Sequence, residues 1–332
     1  MGIRDFIVNK LGGTASDAVS EEGESLSKGD KVKISEEIKL TQDLIKNEKD
    51  KDHSDCEDCS GSDEETIEAG ESTFAKLTID WNTPLYNTSK VPKLHFIVPT
   101  SQKDWKHDAC KEKPGSVQDK VSDWCFKHAP GFEKDNIGDG QTLTCSVTSL
   151  PINIMDIDAM RGTKNNVLVL PHFLWINDLQ ASKVDETLDA MVPDLLSGDL
   201  DNETLLAKYE QMAPSHEDAF VFICSHTTRD KRCGVTAPYM KKVFDKHLQD
   251  HGLFRDNSDL RPEGVNVQFI NHVGGHKYAG NVQIYLRKTR TLIWLGRVTP
   301  RHIPTLVEHL IVPEEPNLPY PEKVRCIKKY KW

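Results

Sequence analysis

The sequence lacks any apolar run approaching the roughly 18 residues needed to cross a bilayer, which argues against stable membrane insertion. It also lacks the charged, apolar and small-residue succession of a secretory signal, so the expected location is the cytoplasm, with the nucleus also open to it. There is no long basic face. With 42 Lys and Arg against 52 Asp and Glu, the formal net charge of −10 repels phosphate backbones, and no nucleic acid partner is expected. No phosphate-binding glycine loop and no acid–base pair is legible, so no catalytic reaction is assigned. Eight cysteines among 332 residues are too few for a disulfide scaffold. In a reducing compartment they are expected as thiols or metal ligands. Met1-Gly2 opens like a myristoylation site, but Phe6 stands where that motif wants Ser or Thr, leaving Ile3 to Leu11 as a short amphipathic start.

Composition divides the chain in three. Residues 1–73 are rich in Ser, Asp, Glu, Lys and Gly and poor in the aromatic and β-branched residues that offset ordering entropy, so a disordered acidic tail is expected, with a transient helix over Ile34 to Ile45. Order should begin near Phe74. Residues 74–205 alternate short β-rich runs (Leu94–Val98, Leu143–Val147, Val167–Leu170) with helical candidates (Ser116–Lys127, Asn153–Met160, Asp185–Leu196), which predicts an α/β domain with a mainly parallel sheet. The polar stretch Ser197–Glu217 reads as a boundary. Residues 206–332 form a second α/β unit: strand Ala219–Cys224, helix Ala237–His251, strands Val265–Ile270, Val282–Arg287 and Thr291–Arg297, helix Ile303–Leu310, then a Pro-rich basic tail. That β-α-β-β-α order is the order of a thioredoxin-like core. No internal repeat with a clear period is evident.

The chemistry concentrates in the second unit. Cys224 ends a strand and Cys233 precedes a helix, with eight residues between them. His272-Val-Gly-Gly-His276 follows the next strand. Gly274 and Gly275 each disfavour helix by about 1 kcal/mol, so this segment is expected as a loop in which glycine N–H groups can face a bound group. Two thiolates and two imidazoles suit either tetrahedral zinc or a two-iron cluster. Zinc knuckles favour cysteines about two to four residues apart, and the wider loop here suits a larger object. Two ferric ions, two sulfides and two thiolates sum to zero charge, and Arg229, Lys231 and Arg232 could stabilise the added electron. Histidine ligation should raise the potential above the roughly −400 mV of all-cysteine plant-type clusters. Thr236 is expected to cap the helix after Cys233, with Pro238 in its first turn. Because the imidazoles must be deprotonated at the ligating nitrogen, properties of the centre should depend on pH.

Cys-x8-Cys followed by His-Val-Gly-Gly-His resembles the signature of the sucrase/ferredoxin-like family of thioredoxin-like 2Fe-2S proteins. Phe74-Ala-Lys-Leu77, Val98-Pro-Thr-Ser-Gln102, Gly162-Thr-Lys-Asn-Asn166, Phe222 to Gly234 and Trp294 to Pro300 extend the resemblance over about residues 74–332. It implies a thioredoxin-like ferredoxin domain with a 2Fe-2S cluster on Cys224, Cys233, His272 and His276, two cysteines on one iron and two histidines on the other. It further implies loading by the cytosolic iron–sulfur assembly machinery, an unidentified redox partner, a role in oxidant tolerance and a link to cortical actin patches. The rival reading is a structural zinc scaffold associated with actin; a third is a dithiol oxidoreductase using Cys224 and Cys233. Thioredoxin's own Cys-x-x-Cys is missing from this domain.

Other residues have plainer readings. Cys56-Glu-Asp-Cys59 sits among carboxylates with no second pair. Cys110, Cys125 and Cys145 read as core cysteines, and Cys326 lies in the basic tail without neighbouring ligands. His226 reads as a surface histidine of the cysteine loop, and His172 as packing between the domains. Arg287, Arg290 and Arg297 serve either as edge protection or as a dock for an acidic electron donor. Trp332 resembles the aromatic end of some clients of iron–sulfur assembly, although Lys331 departs from the acidic or small residue expected before it.

Overall fold

A computed structural model describes residues 46–47, 61–129, 142–259 and 261–331. The expectations for Met1-Gly2, Ile34–Ile45, Cys56, Cys59 and Trp332 fall outside the described residues. Ordered structure starts ahead of Phe74, with helix α1 (Gly61–Phe74). Its acidic start suits the positive end of a helix dipole, and Ile67 and Phe74 turn inward, a signal the surrounding acidic composition hides. Gly70 marks its crossing: a Cβ there would lie 2.5 Å from Pro300 Cγ and 3.0 Å from Tyr239 Cβ.

The first unit comprises β1 (Pro92–Pro99), α2 (Val117–His128), β2 (Thr142–Thr148), α3 (Ile157–Arg161), β3 (Lys164–Leu170), β4 (Leu174–Gln180), α4 (Val184–Ser197), α5 (Asn202–Lys208) and β5 (Met212–Pro214). Ser116 caps α2 by accepting from the Asp119 N–H, while Lys127 and His128 occupy its last turn. The candidate helix Asn153–Met160 shrinks to α3, because Asp156 accepts from the N–H groups of Asp158 and Ala159 and starts the helix later. The stretch Ser197–Glu217 is not a bare linker: it supplies α5 and the edge strand β5.

The second unit comprises β6 (Ala219–Cys224), α6 (Lys231–Gly234), α7 (Ala237–Asp250), β7 (Val265–Ile270), β8 (Val282–Leu286), β9 (Thr291–Leu295), α8 (Ile303–Leu306) and β10 (Val324–Lys329). Helix α7 buries Met240, Val243, Phe244, His247 and Leu248, the stripe expected of a helix laid on a sheet. The supposed basic tail contains β10, an edge strand with Arg325 and Cys326 buried.

All ten strands form one sheet in the order β10-β9-β8-β6-β7-β2-β1-β3-β4-β5. It is mixed, not mainly parallel: among these strands only β1 with β2 and β6 with β7 pair in parallel, the two places where a helix makes the crossover. Apart from the short helices α3, α5 and α6, each unit has the same course, strand-helix-strand-strand-strand-helix, with spatial order 2-1-3-4 in both. The repeat lies in topology rather than in sequence, so no period betrays it. The units meet where β2 and β7 pair antiparallel through Thr148 and Ile270, so one sheet spans both, and the expected division at residues 205–206 falls within helix α5.

That sheet cannot be flat. Strands β1 and β8 stand four places apart, about 19 Å at about 4.8 Å per strand. Yet His95 Nδ1 on β1 lies 2.9 Å from the Tyr285 hydroxyl on β8, and the Phe173 and Phe220 rings are 5.8 Å apart. The sheet curls so that the inner faces of the two units pack together around Ile97, Leu168, Leu170, Phe222 and Tyr285, with helices such as α2 and α7 on the outside. Strands buried on both faces read as continuous apolar runs, and every residue of β6 to β9 is buried.

His95 also meets Ser146 Oγ at 2.8 Å, which completes a buried polar link between the units. Burial pushes its imidazole down to about 3. Between about pH 6.5 and 3 the unfolded chain therefore binds a proton that the folded protein refuses, and stability should fall as pH drops through that window. Tyr285→Phe leaves His95 Nδ1 without its partner and should cost about 1–3 kcal/mol, read as a lowered urea midpoint at pH 7. An unchanged midpoint would show that the link contributes nothing.

Candidate metal centre

The site lies beyond the C-terminal ends of β6 and β7. Cys224 closes β6, and its N–H donates to Asn281 O, while Ser225 N–H donates to Ile270 O. The loop that follows is pinned by the first unit: Ser225 Oγ donates to Lys103 O at 2.5 Å, Thr228 donates to Asp104, and Arg229 donates to His107 O. Asp230 caps α6 by accepting from Arg232 N–H, and its carboxyl is held down to about 2, chiefly by the Arg232 side chain. Cys233 sits in this short turn. Gly234 is required by closeness: a Cβ would fall 1.9 Å from Thr227 Oγ1 and 2.5 Å from Ser225 O.

The histidine segment is a loop, as its glycines predict. Gly274 and Gly275 take φ of 86° and 72°, and a short 3-10 turn His276–Tyr278 follows. Asn271 Oδ1 accepts from Val147 N–H across the joint between units. The result brings together donors from three places in the chain. The ligating atoms of Cys224, Cys233 and His272 all lie within 4.8 Å of one another. Cys233 Sγ is 3.4 Å from His272 Nδ1, and His276 Nδ1 is 3.3 Å from His272 Nε2. His276 stands further out, with Nε2 4.0 Å from Asp230 and a side chain 43% exposed.

The two thiols share a proton unequally. Cys233 donates toward Cys224, which, with help from His272 and Val273 N–H, holds Cys224 well below the usual thiol range. Cys233 is raised by the same bond and by burial. Burial lowers His276, against the pull of Asp230. Cysteine ligates metal as the thiolate and histidine through a deprotonated ring nitrogen. Cysteine and histidine are residue types that ligate either a tetrahedral ion or a 2Fe-2S group.

Several surrounding residues differ from expectation. His226 is not at the surface but fully buried, donating from Nε2 to the Trp105 and Lys106 carbonyls and accepting the His272 N–H at Nδ1. It clamps the cysteine loop to the histidine loop. Thr236 occupies the N-cap position of α7 but makes no capping bond, because its backbone is already helical at φ −98°, ψ −15°. Arg232 is committed to Asp230, and Arg229 to His107, which blunts the cationic loop read from sequence. Arg287 and Arg297 neither guard edges nor offer a dock. Arg287 donates to Ser215 O and lies over Phe173, and Arg297 donates to Asp80 O and Thr83 O. His172 is buried against α5 through Asn202 and pushed down to about 4.

Cys125 and Cys110 are core residues, with Cys145 half-buried 4.0 Å from Cys110. Sequence reasoning missed Arg325, which donates to Gly274 O within the histidine turn. Only the β-branched apolar spacing of Val324 to Ile327 hinted that this residue lies in a strand. A cavity of about 660 Å³ between Lys103–Asp104 and α7 touches the outside of the cysteine loop at Ser225, Thr227 and Gly234, and none of the four donors lines it.

This is a two-unit α/β protein with a Cys/His donor set at the joint, and the chain belongs to the sucrase/ferredoxin-like family, whose model matches residues 85–326. It is 61% identical over 311 residues to Actin patches distal protein 1 of Saccharomyces cerevisiae, covering 93% of this chain and 95% of that protein. Shorter segments are 40% identical to Altered inheritance of mitochondria protein 32 from Clavispora lusitaniae (31% of this chain, 33% of that protein) and from Debaryomyces hansenii (28% and 30%). No solved structure matches. Among the described residues, no helix is long and apolar enough to cross a membrane.

Gly234→Ala should push Thr227 or the Ser225 carbonyl aside and weaken Co²⁺ binding by the apo protein about tenfold or more, about 1.4 kcal/mol. The thiolate-to-cobalt absorbance in a titration measures this, and an unaltered affinity would show that the loop need not be so tightly folded.

Proposed function

We propose that the protein is a one-electron carrier holding a 2Fe-2S cluster on Cys224, Cys233, His272 and His276. A bound cluster supplies reversible one-electron oxidation and reduction. The observation that carries the reading is the depth order of the donors: both thiols are fully buried, while the His276 side chain is 43% exposed. The cysteines would anchor the group within the fold, and the histidines would form its contact with a redox partner. His226, by accepting the His272 N–H, fixes the backbone from which His272 reaches the site. Asp230 keeps a carboxylate 4.0 Å from His276 Nε2.

A second reading has its own support. The close approach of Cys224, Cys233 and His272 is the spacing around a single tetrahedral ion, which favours a structural zinc site. In the carrier reading, the identity to the actin-patches-distal relative along 95% of its length supports a role at cortical actin patches in the cytoplasm. The cluster would be inserted by the cytosolic iron–sulfur assembly machinery.

His272→Cys and His276→Cys test the ligand set. Each should retain iron and sulfide, and its reduction potential should fall from a wild-type value above about −400 mV toward that all-cysteine level. A wild-type potential at or below that level, or potentials indifferent to both substitutions, would contradict histidine ligation.

A further inference from the structure

Arg325 heads the fully buried side chains by size among the described residues, at 1% exposure on edge strand β10. Every one of its acceptors is neutral. Nη1 donates to Gly274 O at 3.0 Å and Asn281 Oδ1 at 2.6 Å, Nη2 to Thr88 O at 2.7 Å, and Nε to Thr88 Oγ1 at 3.1 Å. Its guanidinium lies 4.9 Å from the Trp294 ring centre and 5.4 Å from that of Tyr278. Gly275 is bare because of it: a Cβ there would fall 2.5 Å from Nη2.

A cation buried without an anion costs several kcal/mol, and a fold bears that cost where negative charge arrives from elsewhere. Burial pushes the guanidinium down to about 10, and the acidic groups opposing that shift are Cys326, Tyr278, Cys224 and Cys233, with no carboxylate among them. Cys326 is itself pushed up to about 11 by burial and stays neutral. Its bond to Gly274 O and its contact with Gly275 set this cation against the turn that carries His272 and His276, so negative charge arriving at that candidate centre falls beside it.

We propose that Arg325 is the internal counter-cation of this centre, a positioning residue that holds the histidine turn through Gly274 and favours the form of the bound group that carries the extra electron. The redox half of this assignment rests on the cluster reading. A centre neutral when oxidised and singly negative when reduced gains from a nearby cation on reduction, so Arg325 raises its potential. The same cation opposes a bare divalent ion.

Asn281→Asp neutralises Arg325 in place, by setting a carboxylate where Oδ1 now accepts its N–H. Arg325→Gln removes the charge, and Arg325→Lys keeps it. In the full chain, at the wild-type midpoint, the reduced-to-oxidised ratio should fall about tenfold in Asn281→Asp and Arg325→Gln, equal to about 59 mV for one electron. Co²⁺ affinity of the apo protein should rise about tenfold in both, about 1.4 kcal/mol. Arg325→Lys should stay near wild type. A lost potential shift together with unchanged Co²⁺ affinity in Asn281→Asp would overturn the assignment, and Arg325→Lys matching Arg325→Gln would do so too. If the wild-type protein takes up no iron, the cluster reading fails, and the Co²⁺ comparison decides the role of Arg325 alone.

Discussion

The short antiparallel contact between β2 and β7 governs the rest of the molecule. Thr148 and Ile270 form its bridge, and side chains extend it: Thr148 Oγ1 donates to Phe269 O, Ser149 Oγ to Gln268 Oε1, and Val147 N–H to Asn271 Oδ1. Because the two strands meet near their C-terminal ends, the loops that leave the same ends of their parallel neighbours β1 and β6 come together. Lys103 to His107 of the first unit become the bed on which Ser225 to Arg229 of the second unit lie. A thioredoxin-like unit by itself would leave that cysteine loop unsupported. Here the first unit, which carries no assigned chemistry, acts as a scaffold for the centre of its partner.

The curled sheet adds a second constraint. Inner faces that would otherwise meet water pack on each other, and the polar groups caught between them are satisfied locally, as with His95, Ser146 and Tyr285. A buried arginine fits the same pattern only in part. Each of its three nitrogens donates a hydrogen bond, but among the described residues none of the printed acceptors is a carboxylate. At Gly274 and Gly275 the backbone passes close over this guanidinium, within the turn that carries His272 and His276.

The strands and main helices were legible because their apolar runs and caps are local signals: β6 was read residue for residue from Ala219 to Cys224, and α2 within one residue. The four candidate donors form a spaced motif beside strands, and the fold brings three of them, Cys224, Cys233 and His272, within 4.8 Å of one another. Long-range consequences were hidden. Nothing near His226 announces that it will be buried under Trp105 and Lys106, residues more than a hundred positions away in sequence. Nor does Arg325 in a basic stretch announce burial, because its neighbours across the strand are set by the sheet order. The sheet of residues 74–205 was read as mainly parallel because hairpins and crossovers look alike until connections are traced. The acidic flank concealed α1, whose inward face is only a few residues wide.

Chemical analysis of the purified protein tests the central claim most directly. The account predicts about two irons and two labile sulfides per chain, a coloured oxidised form and an EPR signal that grows on one-electron reduction. Colourless protein holding one zinc per chain, with no labile sulfide, would contradict it.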